Sequence, residues 1–233
     1  MSPWKRISAL VLCIVFAAAG LVAEQQPAPS RDPRFEQTQR VSSMEELAPR
    51  TVADAAIAKV FSGGSPMRPG VVVFPEIARG IAVPEPRAKT AEDALRWTFC
   101  THDAVFLGTP ISRRVLATSD RSALVTVFTV RAERWLWPVQ GPIDVTVGFF
   151  GGRAIVDGQL YEARQDGEHA EFQLQNPSLF VFRAIGSGAY LSSRFSAPAP
   201  VGGKLVTPAI TGPTTEVLAT LQRELATCGQ LLG

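Results

Sequence analysis

Histidine is almost missing from this chain: His102 and His169 are the only two in 233 residues. Any mechanism that needs an imidazole base near neutral pH must use one of them. An excess of one charge is missing as well, because 23 Lys and Arg stand against 21 Asp and Glu. Without the first 23 residues, which hold Lys5, Arg6 and no acid, the balance is 21 against 21. A strong electrostatic footprint for nucleic acid or anionic lipid is thereby excluded. There is no Gly-x-Ser-x-Gly elbow, no phosphate-cradling Gly loop and no paired-Cys zinc spacing, so no cofactor or metal is implied. What the chain does have is 46% hydrophobic residues, enough to rule out disorder throughout. The length suits one or two domains.

The N-terminus reads as an export signal. Lys5 and Arg6 precede an apolar run from Ile7 to Val22 that stops before Glu24. The run is shorter than the roughly 20 residues of a spanning helix, which favours cleavage after Ala23 or Gly20 over a retained anchor. Cys13 invites a lipoprotein reading, but Leu12 stands before it where a small residue is wanted. A secreted or periplasmic location follows.

Residues 24–89 change character. Nine prolines fall here, in runs such as Pro27-Ala28-Pro29 and Pro84-Glu85-Pro86, and a segment of this kind reads as a largely disordered linker. Two exceptions stand out within it. A short helix is predicted over Arg50–Phe61, with Val52, Ala56 and Val60 at helical spacing. An edge strand is predicted at Val71–Phe74, closed by Pro75.

The organised part is predicted to run over residues 90–210, with a C-terminal helix over 211–233 packed on it. Thr90-Ala91-Glu92-Asp93 has the form of a capping box for a helix to about Thr101. Strands follow at Ala104–Gly108 and Ser122–Leu136. Ile143, Val145, Val147 and Phe149 alternate with polar residues, the mark of a strand with one buried face. Asp157-Gly158 signals a hairpin between Arg153–Val156 and Gln159–Arg164, and Asp166-Gly167 a second one leading into Glu168–Gln175. After a turn at Asn176-Pro177, Ser178–Ile185 and Ala189–Phe195 pair around Gly186-Ser187-Gly188. Pro213 starts the last helix, whose stripe is Val217, Leu221, Leu225 and Cys228. The fold class is mainly β (α+β): an antiparallel sheet of six or more strands with flanking N- and C-terminal helices.

Export places Cys100 and Cys228 where disulfides persist. Each lies near a predicted helix end, so a bridge joins the two ends of the domain; the other reading is two buried free thiols.

One resemblance rests on the order of a helix, then Cys100-Thr101-His102-Asp103-Ala104-Val105-Phe106-Leu107-Gly108-Thr109, then a strand ending Val130-Arg131-Ala132-Glu133-Arg134-Trp135, then Ile143-Asp144-Val145-Thr146-Val147. Over about residues 90–195 this is similar to secreted proteins with a netrin-like or tissue-inhibitor-of-metalloproteinase-like oligonucleotide/oligosaccharide-binding (OB) barrel. The resemblance implies an OB-like barrel closed by Phe172–Val181, although Asn176-Pro177 stands where that group has Gly and an acid. The inhibitory members reach zinc through a cysteine at the mature N-terminus. No such cysteine is present, so protease inhibition does not carry over.

Cys100-x-His102-Asp103 falls short of a zinc ligand set, and Glu162, Asp166, Glu168 and Glu171 lack the spacing of a calcium loop. Arg134-Trp135-Leu136-Trp137-Pro138 is the best candidate contact site. On a regular strand both tryptophans face the same way, either to a partner or into the end of the barrel. The sequence therefore reads as a non-catalytic module binding a protein, peptide or glycan. The alternatives are a hydrolase or metal-dependent enzyme with a scattered site, and an envelope protein held by an uncleaved N-terminal anchor.

Overall fold

The computed structural model describes residues 38–74, 99–138, 140–165, 172–192, 196–197, 200, 202–207 and 210–228. The signal segment, the Asp166-Gly167 hairpin and most of the helix expected over Thr90–Thr101 lie outside them, although Phe99 and Cys100 are helical.

Five strands close into a ring. They are β3 (Ala104–Ala117), β4 (Leu124–Trp137), β5 (Asp144–Phe150), β8 (Ser178–Gly186) and β9 (Ala189–Ser192), in the order β3-β4-β5-β9-β8. Four seams are antiparallel, but β5 runs parallel to β9, with Val147 beside Tyr190. The wholly antiparallel sheet expected from the sequence is corrected at that seam, because β5 and β9 are not consecutive strands.

The ring is a packed core. Phe106, Phe128, Val130, Val145, Val147, Phe172, Phe180 and Phe182 fill it. Neighbouring rings approach with centroids such as 5.0 Å for Phe172 and Phe180, the spacing of favourable aromatic pairs.

β3 is much longer than the Ala104–Gly108 predicted. It runs on through Pro110, which sits where the β3–β4 register shifts between Pro110 and Ser112. A bulge tolerates the missing N–H that a regular ladder does not. β5 begins one residue later than the alternation suggested: Val145 and Val147 are buried, whereas Ile143 lies in the preceding loop and is 72% exposed. Residues 172–175, expected as the end of a strand, are irregular and form a turn at Leu174–Gln175. The Asp157-Gly158 hairpin is present, with φ of 48° and 76°, joining β6 (Gly152–Val156) to β7 (Gln159–Gln165).

Within the segment expected as linker, the helix and the edge strand set apart there are both present, further elements lie beside them, and residues 24–37 and 75–89 are outside the described residues. Residues 38–74 supply β1 (Gln39–Val41), a 3₁₀ turn at Met44–Leu47, helix α1 (Val52–Val60) and β2 (Gly70–Phe74). β1 pairs with β6 and β2 with β7, giving a second sheet of order β1-β6-β7-β2. Residues 37–233 are one compact unit. Of the nine prolines only Pro49, Pro66 and Pro69 lie within residues 38–74, where they fall between these elements, while Leu47, Ile57, Ala58 and Phe61 are buried.

Two helices cover the outside of the ring. α1 places Ile57, with Phe61 after it, on Leu116, Val125, Val127, Ala189 and Leu191. Its N-cap is Thr51, whose side chain accepts from the Asp54 N–H at 3.0 Å. Helix α2 (Thr214–Leu225) lays Val217, Leu218, Leu221 and Leu225 on Val105, Leu136, Leu179 and Val181. It follows a small hairpin of β10 (Lys204–Val206) and β11 (Thr211–Pro213). Cys228, just beyond α2, is bonded to Cys100 with Cα atoms 5.2 Å apart. The disulfide staples that helix to the segment entering β3.

Candidate functional site

The tryptophan end of β4 is built differently from a regular strand. Phe106 faces Trp135, yet Val105 faces Trp137, so Leu136 is an extra residue on β4. A bulge of this kind breaks the alternation of side chains. Trp135 consequently packs with the interior of the ring, while Leu136 and Trp137 pack with the α2 cluster on the outside. The same-face pair expected from two-residue spacing is thus corrected: the two rings serve different clusters.

Trp135 is half-buried and its contacts are internal. Its ring centroid is 4.5 Å from that of Phe106, and its indole N–H donates to the Pro142 carbonyl at 3.3 Å. Gly141 rests on the indole so closely that a Cβ there would come within 2.3 Å of it. The loop after Trp137 therefore folds back over Trp135 and leaves Ile143 on the outside. Arg134 is exposed and donates to the Gln222 side chain of α2. Nearby, Arg131 pairs with Asp144 at 3.3 Å, and Thr109 donates to Glu133.

Two polar clusters were not foreseen. Asp120, in the β3–β4 turn, accepts from the Thr118 hydroxyl at 2.7 Å, the Ser122 hydroxyl at 2.7 Å and the Ser122 N–H at 3.0 Å. It also accepts from the N–H groups of Gly63 and Gly64 in the loop after α1. Burial pushes its carboxyl up, but the hydrogen bonds from Ser122, Thr118 and Gly63 outweigh this and hold it well below the ordinary 3.8. Turn-forming residues at Thr118–Ser122 were the available signal. Asp54, fully buried on α1, accepts from Arg114 of β3 and from the Arg50 N–H at 3.2 Å. Nothing local in the sequence links positions 54 and 114. Both clusters tie the N-terminal segment to the ring.

His102 is buried beside the start of β3, and His169 lies outside the described residues. Of the acids proposed as a cluster, Glu162 pairs with Arg153 at 3.7 Å, and Asp166, Glu168 and Glu171 lie outside the described residues. Among the described residues no group of three or more His, Cys, Asp or Glu is placed to hold a metal ion. No described helix is long and apolar enough to cross a membrane.

No protein-family model matches the chain, and no curated protein is similar to it at a significant level. The site is therefore read from its geometry alone.

Proposed function

We propose that this chain is an exported, non-catalytic binding module that meets a protein partner through the loop end carrying Ile143. The observation that carries the reading is the exposure of Ile143, a large aliphatic side chain left 72% open beside Trp135 and Pro142. Exposed apolar side chains on a rigid support suit a partner's pocket. The basic-then-apolar N-terminus supports export, and Cys100–Cys228 accords with an oxidising compartment.

The ring order supports the OB-like reading, since a first, second, third, fifth and fourth strand joined by a parallel third-to-fifth seam is the OB arrangement. In such barrels oligonucleotides and oligosaccharides lie on the face of the second and third strands. Here β4 and β5 hold those places and α1 lies over them; a Cβ on Gly148 of β5 would sit 2.4 Å from Ile57. That occupancy, with Trp135 engaged by Phe106 and Gly141, favours a protein over a glycan.

A photo-crosslinking residue placed at Ile143 in the natural host tests this directly. One dominant protein adduct is expected, with none from the same residue at Asp157 on the far hairpin. Absence of any adduct at Ile143 rejects the reading.

A further inference from the structure

α1 has no polar face. Its residues are Val-Ala-Asp-Ala-Ala-Ile-Ala-Lys-Val, and its one acid, Asp54, is buried and bonded to Arg114. Lys59 is thus the only charge the helix turns outward, on a side where Val52 and Val60 are 73% and 40% exposed. A surface helix ordinarily presents charged and polar residues to water, so an apolar outer side marks a face that receives something.

Beside it the β8–β9 hairpin completes a groove. The register slips between Ala184 and Gly186, which makes Ile185 an extra residue on β8, and a bulge of this kind re-aims a side chain. Ile185 accordingly packs with Ala53 and Ala56 on the α1 cluster. Val52, Ala56, Val60 and Ile185, with Lys59 and Ser187 as the polar members, line a groove of about 610 Å³. Largely apolar clefts of that size with a few polar groups are the usual form of a small-molecule site.

The polar members say what the ligand carries. Among the described residues no carboxylate pairs with the Lys59 ammonium, and no acid lines the groove. Charge complementarity therefore calls for an anion, and the apolar floor for a hydrocarbon chain. Val52 and Val60 stand about 12 Å apart along the helix, which sets the length of that chain. We infer that the groove binds a medium-chain aliphatic carboxylate, its chain along Val52, Val60 and Ile185 and its headgroup on Lys59 and the Ser187 hydroxyl.

NMR titration of the isotope-labelled protein with decanoate, a chain of that length, tests it. Saturable shifts are expected at Val52, Val60 and Ile185. Decyltrimethylammonium, the same chain ending in a cation, should bind about five-fold more weakly, the scale of one exposed ion pair. Lys59→Glu should invert that order, and a thermal melt matching the wild type confirms that the variant is folded. Shifts that do not saturate, or that scatter over the surface, overturn the inference. So does equal binding of the two headgroups, or a preference unchanged in Lys59→Glu. The Ile143 loop is a different surface, so either reading can fail alone.

Discussion

At the scale of single residues, the two tryptophans separate into distinct jobs because one residue of bulge lies between them. Trp135 holds the returning loop through its N–H to Pro142, and Trp137 supports α2. Trp135→Ala and Trp137→Ala should each cost about 2–3 kcal/mol, below the roughly 3–5 kcal/mol of a fully buried Trp. Hydrogen exchange distinguishes them: the first should loosen residues 140–143, the second α2. Equal effects on both regions contradict the division. Asp120 gives a pH-dependent case. Its folded carboxyl ionises more easily than the ordinary 3.8, so its stabilisation is present above that value and is lost as pH falls below it. Asp120→Asn should therefore lower the melting temperature at pH 7 and progressively less below about pH 4. An identical deficit at pH 7 and pH 3 rules the role out.

At the scale of elements, α1 and α2 are held to the ring by different means. α1 relies on Ile57 and Phe61 against the outside of β3, β4 and β9, with Asp54 bonded to Arg114. Asp54 is fully buried and the Arg114 side chain mostly so, and removing Arg114 leaves a buried carboxylate without its cation. α2 buries an apolar stripe and is then fixed covalently, Cys100 and Cys228 being 128 positions apart in sequence. Replacing both cysteines by Ala should cost roughly 2–5 kcal/mol, because the bridge limits the unfolded chain over a long loop. Exchange in α2 should rise before exchange in β4. An unchanged melting temperature counts against the staple.

At the scale of the whole molecule, the segment expected as a linker completes the fold. Residues 38–74 contribute α1, two edge strands and the loop that caps Asp120. A fragment beginning at Thr90 uncovers Leu116, Val125, Val127 and Leu191, the surface under α1. It should lack a cooperative melt, since exposed core of that kind is a large share of a marginal stability. A sharp transition in the fragment shows instead that the ring folds alone.

Local chemistry was legible in the sequence wherever neighbours along the chain decide the structure. Asp157-Gly158 specified its hairpin and the stripe from Val217 to Cys228 specified α2, because turns and periodic burial depend on adjacent positions; α1 lies within the residues where a helix was expected, but the 52–56–60 spacing marked the wrong face, since Val52 and Val60 are exposed and Ile57 and Phe61 meet the ring. The disulfide was one of two readings, and proximity in space chose between them. Tertiary structure alone decided the rest. The bulge at Leu136 depends on how β3 lies beside β4; the parallel β5–β9 seam and the Asp54–Arg114 and Asp120–Gly63 contacts join positions far apart in sequence. Composition marked residues 24–89 as largely linker, apart from a helix at 50–61 and a strand at 71–74, because it counts prolines. Folding instead depends on whether the few apolar side chains between them find a surface, and the outside of the ring provides one.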